Sequence, residues 1–223
     1  MPELKAVLWD FGGVILSSPF EAFARYERAK GLPKDFIRTL NATNPDSNAW
    51  ARFERNEVPF DEFCDLFEAE AKALGHELAA REVMPLLAGE LRPEMVEALR
   101  RCGQRYKTAC LTNNVVGFND FPERARASGR DEVLSLFDAV IESSKVGCRK
   151  PDPRFYAIAC ETLDIEPPEA VFLDDLGINL KPAKELGMRT IKVTEPSLAL
   201  AELEAIVGFP LRGPASGAPA SRQ

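Results

Sequence analysis

The 223-residue chain has a single histidine, His76. That scarcity brings Ser-His-Asp and Cys-His catalysis, and metal centres built from several histidines, close to exclusion. His76 lies in Leu74-Gly75-His76-Glu77, which reads as a helix end, so the side chain is expected to face solvent. The five cysteines contain no C-x-x-C pair, and their odd number leaves one over in any disulfide scheme. They are expected to be reduced, small apolar fillers, although Cys148 stands among polar residues. No long Lys/Arg run occurs and the formal net charge is −7, which argues against nucleic acid or an anionic membrane as the main partner. No apolar run reaches the length of a membrane span. Met1-Pro2-Glu3 is followed almost at once by a strand-like run, without a signal peptide, so a cytoplasmic location is expected.

What remains suits a globular protein: 45% hydrophobic and 28% charged residues, at a length that fits one α/β domain plus a modest insertion. The first apolar run, Leu4 to Trp9, stops on Asp10 and is followed by Phe11-Gly12-Gly13-Val14. This reads as a buried strand that delivers one carboxylate to the end of a sheet. The glycines allow a sharp turn and close approach of a ligand to the backbone. Gly12 carries no side chain, so Asp10 lacks a second carboxylate two residues along.

Helical patterns follow. Ser18-Pro19-Phe20-Glu21 fits a capping box, and the helix it opens meets stop signals at Gly31 and Pro33. Further helices are expected from about Asp35 to Leu40, over Trp50 to Glu57, and along the Phe60, Phe63, Phe67, Ala71, Leu74 spacing up to Gly75, with a loop from Asn41 to Asn48. From about Leu16 to Leu87 no convincing strand appears. Strand and helix then alternate: strands at Tyr106–Leu111, Phe137–Ile141, Ala170–Leu173 and Arg189–Val193, helices at Pro93–Arg101, Pro153–Leu163, Ile178–Leu186 and Ser197–Val207. The pattern predicts an α/β, doubly wound parallel sheet with helices on both faces and a helical insertion after the first strand. Residues 213–223, rich in Gly, Ala, Ser and Pro, are expected to be disordered.

Ligands of such sheets bind outside the carboxyl ends of the strands. Four polar clusters fall there: Asp10, Thr112-Asn113, Ser144 to Lys150, and Asp174-Asp175. Packed carboxylates repel, and a hard cation such as Mg²⁺ is the usual compensation. Lys150 offers a point charge suited to an anionic substrate and to keeping Asp10 ionised. Thr112 offers a hydroxyl, and the backbone after it N–H donors for phosphate oxygens. Together these are what phosphoryl transfer to aspartate requires. Each cluster alone would read as a helix cap or a rigid turn; four in order, each after a strand, point to a site.

The stretches WDFGGV, LTNN, SSKVGCRKPDP and VFLDDLGINLKPAKELGMRTIKV resemble motifs I to IV of the haloacid dehalogenase-like hydrolase superfamily. The last two are especially similar to the N-terminal phosphatase domain of soluble epoxide hydrolases. The likeness spans about residues 4 to 210. It implies a Rossmann-like core over residues 1–15 and 88–212, with residues 16–87 in the place of the helical cap. No G-x-S-x-G elbow is seen, and epoxide hydrolysis is not carried over. The resemblance implies that Asp10 attacks phosphorus and forms an aspartyl-phosphate. Asp10, the backbone carbonyl of Gly12, Asp175 and Asp174 would hold Mg²⁺. Thr112 and the N–H of Asn113 would bind the transferring group, Lys150 would neutralise it, and Asn179 would orient the acidic pair. The cap, with Trp50 and Phe53, would close over the site and choose the leaving group, while the Phe60/Phe63/Phe67 stripe is expected to be core.

The sequence departs from the superfamily's phosphatase pattern at Gly12, where an Asp usually serves as general acid and base. Such help is typically worth about 10²–10⁴-fold. A water or a cap residue such as Glu54 would have to substitute, or the substrate would carry a good leaving group. The leading expectation is a Mg²⁺-dependent phosphatase for a small phosphate monoester, a lipid or sugar phosphate. A 2-haloacid dehalogenase would leave Asp174-Asp175 poorly explained, and a non-catalytic phosphate-ligand sensor draws its support from Gly12. The sequence leaves oligomeric state open.

Overall fold

The computed structural model describes residues 2–114 and 129–212. The expected disordered tail, residues 213–223, lies outside them. Five strands are described: β1 Ala6–Trp9, β2 Lys107–Thr112, β3 Ala139–Glu142, β4 Ala170–Asp174 and β5 Arg189–Lys192. All pair in parallel, in the order β3-β2-β1-β4-β5. The chain grows from β1 outward through β2 and β3, then returns to the other side of β1 for β4, so strand order reverses there. The carboxyl ends of β1 and β4 flank the crevice where sheets of this kind bind ligands.

Both faces of the sheet are dry. Val7 and Trp9 of β1 pack with Val171 and Leu173 of β4 against Met95, Leu99, Leu200 and Leu203. Their alternate neighbours Ala6, Leu8, Ala170 and Phe172 pack on the other face against Phe155, Tyr156, Ala159 and Leu180. Burial on both sides explains why these strands read as continuous apolar runs rather than alternating ones.

Between β1 and β2 the chain forms α1 Phe20–Lys30, α2 Phe36–Ala42, α3 Ala49–Glu54, α4 Phe60–Ala73, α5 Ala80–Val83 and a 3₁₀ turn Met84–Leu87, then α6 Pro93–Cys102. The helices before α6 build an apolar core of their own around Phe23, Ile37, Phe53, Phe63, Phe67 and Met84. The connections into and out of this segment run side by side. Leu16 and Leu91 form an antiparallel bridge, Ser17 N donates to Glu90 O (2.8 Å), and Arg92 N donates to Ile15 O (2.9 Å).

Several sequence expectations are corrected here. Ser18 does not cap α1: Pro19 is the N-cap residue, no side chain bonds the first turn, and Ser18 Oγ is buried without a hydrogen-bond partner among the described residues. Helix α2 is capped from afar instead, because the buried Glu27 accepts from Asp35 N (3.0 Å) and Ile37 N (2.9 Å). His76 does not project freely into solvent; it is half-buried, its ring meeting Phe36 edge-on at 4.9 Å. Phe53 stacks on Phe63 at 4.4 Å and is 3% exposed, so it belongs to the interior of the helical segment and does not line a site. Periodicity places a residue on an apolar face but does not say which neighbour that face meets. All five cysteines are free and buried, and burial raises the Cys148 thiol, as expected of inert fillers. Among the described residues no helix is long and apolar enough to cross a membrane.

Candidate active site

Asp10 is the residue at which β1 leaves the sheet. Its N–H still donates to Leu173 O of β4 (2.8 Å), so the sheet's own ladder holds it beside the end of β4. Its Oδ1 accepts from Phe11 N (2.7 Å). The chain then makes a wide turn closed by Leu16 N donating to Phe11 O (2.8 Å). The two glycines of this turn differ. Gly13 has φ of +76°, and a Cβ there would lie 2.2 Å from Asp175 Oδ2, so both backbone and space demand glycine. Gly12 is exposed, has φ of −71° and ψ of 131°, and a Cβ there would meet nothing within 4 Å. Neither backbone nor space at the Cβ demands glycine at position 12.

At the end of β4, Asp174 is wholly buried and Asp175 half-buried. Asp174 Oδ1 accepts from Leu176 N (2.8 Å), and Asn179 Nδ2 donates to both Asp174 oxygens (3.1 and 3.0 Å). Asn179 is itself fixed by the buried Tyr156 hydroxyl, which donates to its carbonyl (2.6 Å). Lys150, 1% exposed, reaches Asp10 Oδ1 at 2.9 Å and Asp174 Oδ2 at 2.7 Å. One oxygen from each of Asp10, Asp174 and Asp175 can lie within 4.8 Å of the others.

The electrostatics follow from that count of charges. Burial opposes the Lys150 ammonium, but Asp10 and Asp174 outweigh it and the pKa is raised, so the lysine is charged. Asp10 is raised well above the usual carboxylate range, by burial first, with Lys150 opposing and Asp174 and Asp175 adding to the rise. Asp175 is pushed up to about 6, again by burial first and then by Asp174. Lys150 acts on Asp10 in the expected direction, toward the ionised form, against burial and the two neighbouring carboxylates. Three carboxylates around one lysine leave surplus negative charge, and an all-oxygen set of this kind fits a hard divalent cation.

The other expected residues stand at the same edge. Thr112 ends β2 and is half-buried. The side chain of Asn113 has a task that sequence reasoning missed. Its Oδ1 accepts from Lys150 N (2.9 Å) and its Nδ2 donates to Lys150 O (3.0 Å), clamping the lysine's peptide groups. Asn114 ties the same loop to the end of β3: its N–H donates to Ser143 Oγ (3.0 Å), its Nδ2 to Glu142 Oε1 (2.6 Å), and its Oδ1 accepts from Ser144 Oγ (2.8 Å). The LTNN and SSKVGCRKPDP stretches contain these residues, but nothing in their spacing says that one binds the other.

Comparison with known proteins follows the geometry. A family model described as haloacid dehalogenase-like hydrolase matches residues 4–187. The chain is 36% identical over 221 residues to acyl-CoA dehydrogenase family member 10 of Mus musculus, covering 93% of this chain and 19% of that protein. It is 33% identical over 221 residues to bifunctional epoxide hydrolase 2 of Sus scrofa, covering 93% of this chain and 40% of that one. The chain thus spans only a minor part of either relative. It is 30% identical over 204 residues to phosphatase MT3486 of Mycobacterium tuberculosis, covering 86% and 88%. Among solved structures, a family enzyme of Bacteroides thetaiotaomicron in complex with magnesium and inorganic phosphate superposes with a TM-score of 0.59 at 19% identity, covering 85% and 93%. The L-2-haloacid dehalogenase of Xanthobacter autotrophicus superposes with a TM-score of 0.58 at 20% identity, covering 97% and 92%. These two show a shared fold.

Proposed function

Since the chain belongs to the haloacid dehalogenase-like hydrolase family, we propose that it is a Mg²⁺-dependent phosphatase acting on a small phosphate monoester. The observation that carries this reading is the sharing of Lys150 between Asp10 and Asp174, with Asp175 close enough to complete an acidic triad. A dehalogenase using an aspartate nucleophile needs no such surplus of carboxylates. The phosphatase name borne by the Mycobacterium tuberculosis relative, over most of both chains, supports the same choice.

In this reading Asp10, Asp174, Asp175 and the carbonyl of Gly12 hold the ion. Held there, Mg²⁺ would supply positive charge against the acidic cluster and Lewis-acid polarisation of the phosphoryl group. Thr112 and the N–H of Asn113 hold the phosphoryl oxygens, and Lys150, pinned by Asn113 and the two aspartates, supplies fixed positive charge. A carboxylate oxygen of Asp10 attacks phosphorus as the bond to the leaving oxygen breaks. Water then attacks phosphorus, cleaves the aspartyl-phosphate and restores the carboxylate. Asn179 keeps both oxygens of Asp174 oriented. Residues 16–87 serve as a cap, and lipid and sugar phosphates are the two classes to screen. Gly12 favours a second reading, a phosphate-ligand binder with little turnover.

The test is release of phosphate from p-nitrophenyl phosphate, with and without Mg²⁺, beside an Asp10→Asn control. Its good leaving group makes no demand on an acid at position 12. Turnover is expected only with Mg²⁺ and Asp10, and Asp10→Asn is expected to fall below about one-thousandth of the parent rate. A folded protein that binds Mg²⁺ and releases no phosphate would favour the binder.

A further inference from the structure

Glu54 is the last residue of α3 and lies where the helical segment meets the sheet edge. It is 8% exposed, and both its side chain and its backbone are engaged. Its Oε1 accepts from Trp50 Nε1 (2.9 Å), and its Oε2 lies 2.9 Å from Arg149 Nη1. That second contact is an ion pair without hydrogen-bond alignment. The Glu54 carbonyl accepts from the buried Ser143 Oγ (2.7 Å).

The contacts to Ser143 and Arg149 each continue into a loop of the candidate site. Ser143 Oγ accepts from Asn114 N (3.0 Å), the residue after Asn113. Arg149 Nε donates to Lys150 O (3.3 Å), the same carbonyl that Asn113 Nδ2 reaches. One residue of the helical segment therefore stands one intermediary away from both the Thr112-Asn113-Asn114 loop and the Lys150 loop. The pair is mostly buried, with the Arg149 side chain the more exposed of the two, so salt screens it less than a surface pair. Burial raises the Glu54 carboxyl, with Arg149 the first group opposing that rise.

We propose that Glu54 is a positioning residue: through Arg149 and Ser143 it fixes the two loops that would hold the phosphoryl group, so that docking of the helical segment sets where Lys150 and Asn113 stand. Its activity arm rests on the phosphatase reading; its structural arm does not. Small errors of placement in such loops carry large kinetic consequences, about 10²-fold for a displacement of 1 Å.

The experiment uses the full chain with Glu54→Gln, Arg149→Gln and the double variant. For Mg²⁺-dependent release from p-nitrophenyl phosphate, each single variant is expected to lower kcat about tenfold to hundredfold with a smaller change in KM. The double variant is expected to lose no more than the worse single, because the two act as one contact. Additive losses, or kcat unchanged in Glu54→Gln, overturn the proposal. The second readout is amide hydrogen exchange. Glu54→Gln removes the side-chain link through Arg149 and keeps the carbonyl link through Ser143, so it is expected to speed exchange at Lys150 at least about tenfold while β1 and β4 keep parental protection. Unchanged exchange at Lys150, or a rise shared equally by the strands, overturns the proposal. If the parent releases no phosphate, the phosphatase reading fails while the exchange result still decides whether Glu54 positions the loops.

Discussion

Lys150 at the sheet edge and Phe63 inside the helical segment are both shut off from water, at 1% and 0% exposure. Phe63 lies among Trp50, Phe53 and Phe67, with ring centroids 4.4 to 5.7 Å away, and asks nothing of them but shape. Lys150 lies between Asp10 and Asp174, with Asn113 gripping its backbone, and every one of those partners must be where it is. Removing a ring leaves a hole that neighbours can partly fill. Removing the lysine leaves two carboxylates facing each other, and the desolvation already imposed on them has no offset.

The contrast can be tested directly. Lys150→Met is expected to destabilise the fold by about 3–5 kcal/mol in urea denaturation with divalent cations chelated. Added Mg²⁺ should return part of that loss, because the cation takes over neutralisation of the acidic cluster. A loss under about 1 kcal/mol would break the comparison, since it would mean that the carboxylates take up protons in place of the lysine at little cost. Phe63→Ala should cost about 3 kcal/mol, the low end for such a truncation, because Trp50 and Phe67 can close in on the cavity. Mg²⁺ should leave that loss untouched. The two glycines sharpen the comparison at smaller scale. Gly13→Ala should cost about 1–3 kcal/mol from its positive φ, and should weaken Mg²⁺ binding in calorimetry by displacing Asp175. Gly12→Ala should be neutral or stabilising by about 0.4–1 kcal/mol in the same denaturation series. Equal losses at the two positions would show that position 12 is constrained after all.

The fold was legible because its strands are buried on both faces. Ala6–Trp9 and Ala170–Leu173 read as unbroken apolar runs, and an aspartate follows each, Asp10 and Asp174. Asp10, Thr112, Asp174 and Asp175 could be placed at one edge for the same reason: a polar residue at or just past the end of such a run has one edge on which to stand. What escaped depends on pairing between distant stretches. Asn113 with Lys150, Ser143 with Glu54 and Glu54 with Arg149 are contacts that no local period announces. The cap of α2 by Glu27 was hidden likewise, since its donors lie 8 and 10 residues on, beyond the reach of any capping pattern. Ser18 failed by a single residue: with Pro19 at the N-cap, the hydroxyl sits outside the turn it was expected to close.

The paired connections at Leu16–Leu91 and Ser17–Glu90 have an entropic consequence. They bring together the two ends of everything between α1 and the turn at Met84–Leu87. To the sheet, that whole stretch is a loop whose mouth is already closed. The chain entropy lost in joining β1 to β2 grows only with the logarithm of the intervening length, by about 0.6 kcal/mol for each doubling. The sheet edge can therefore carry a larger, smaller or differently folded insertion on the same short stem at almost constant stability. Over evolutionary time the part of the molecule above the charges can be exchanged while the register that sets Asp10 beside Asp174 stays put.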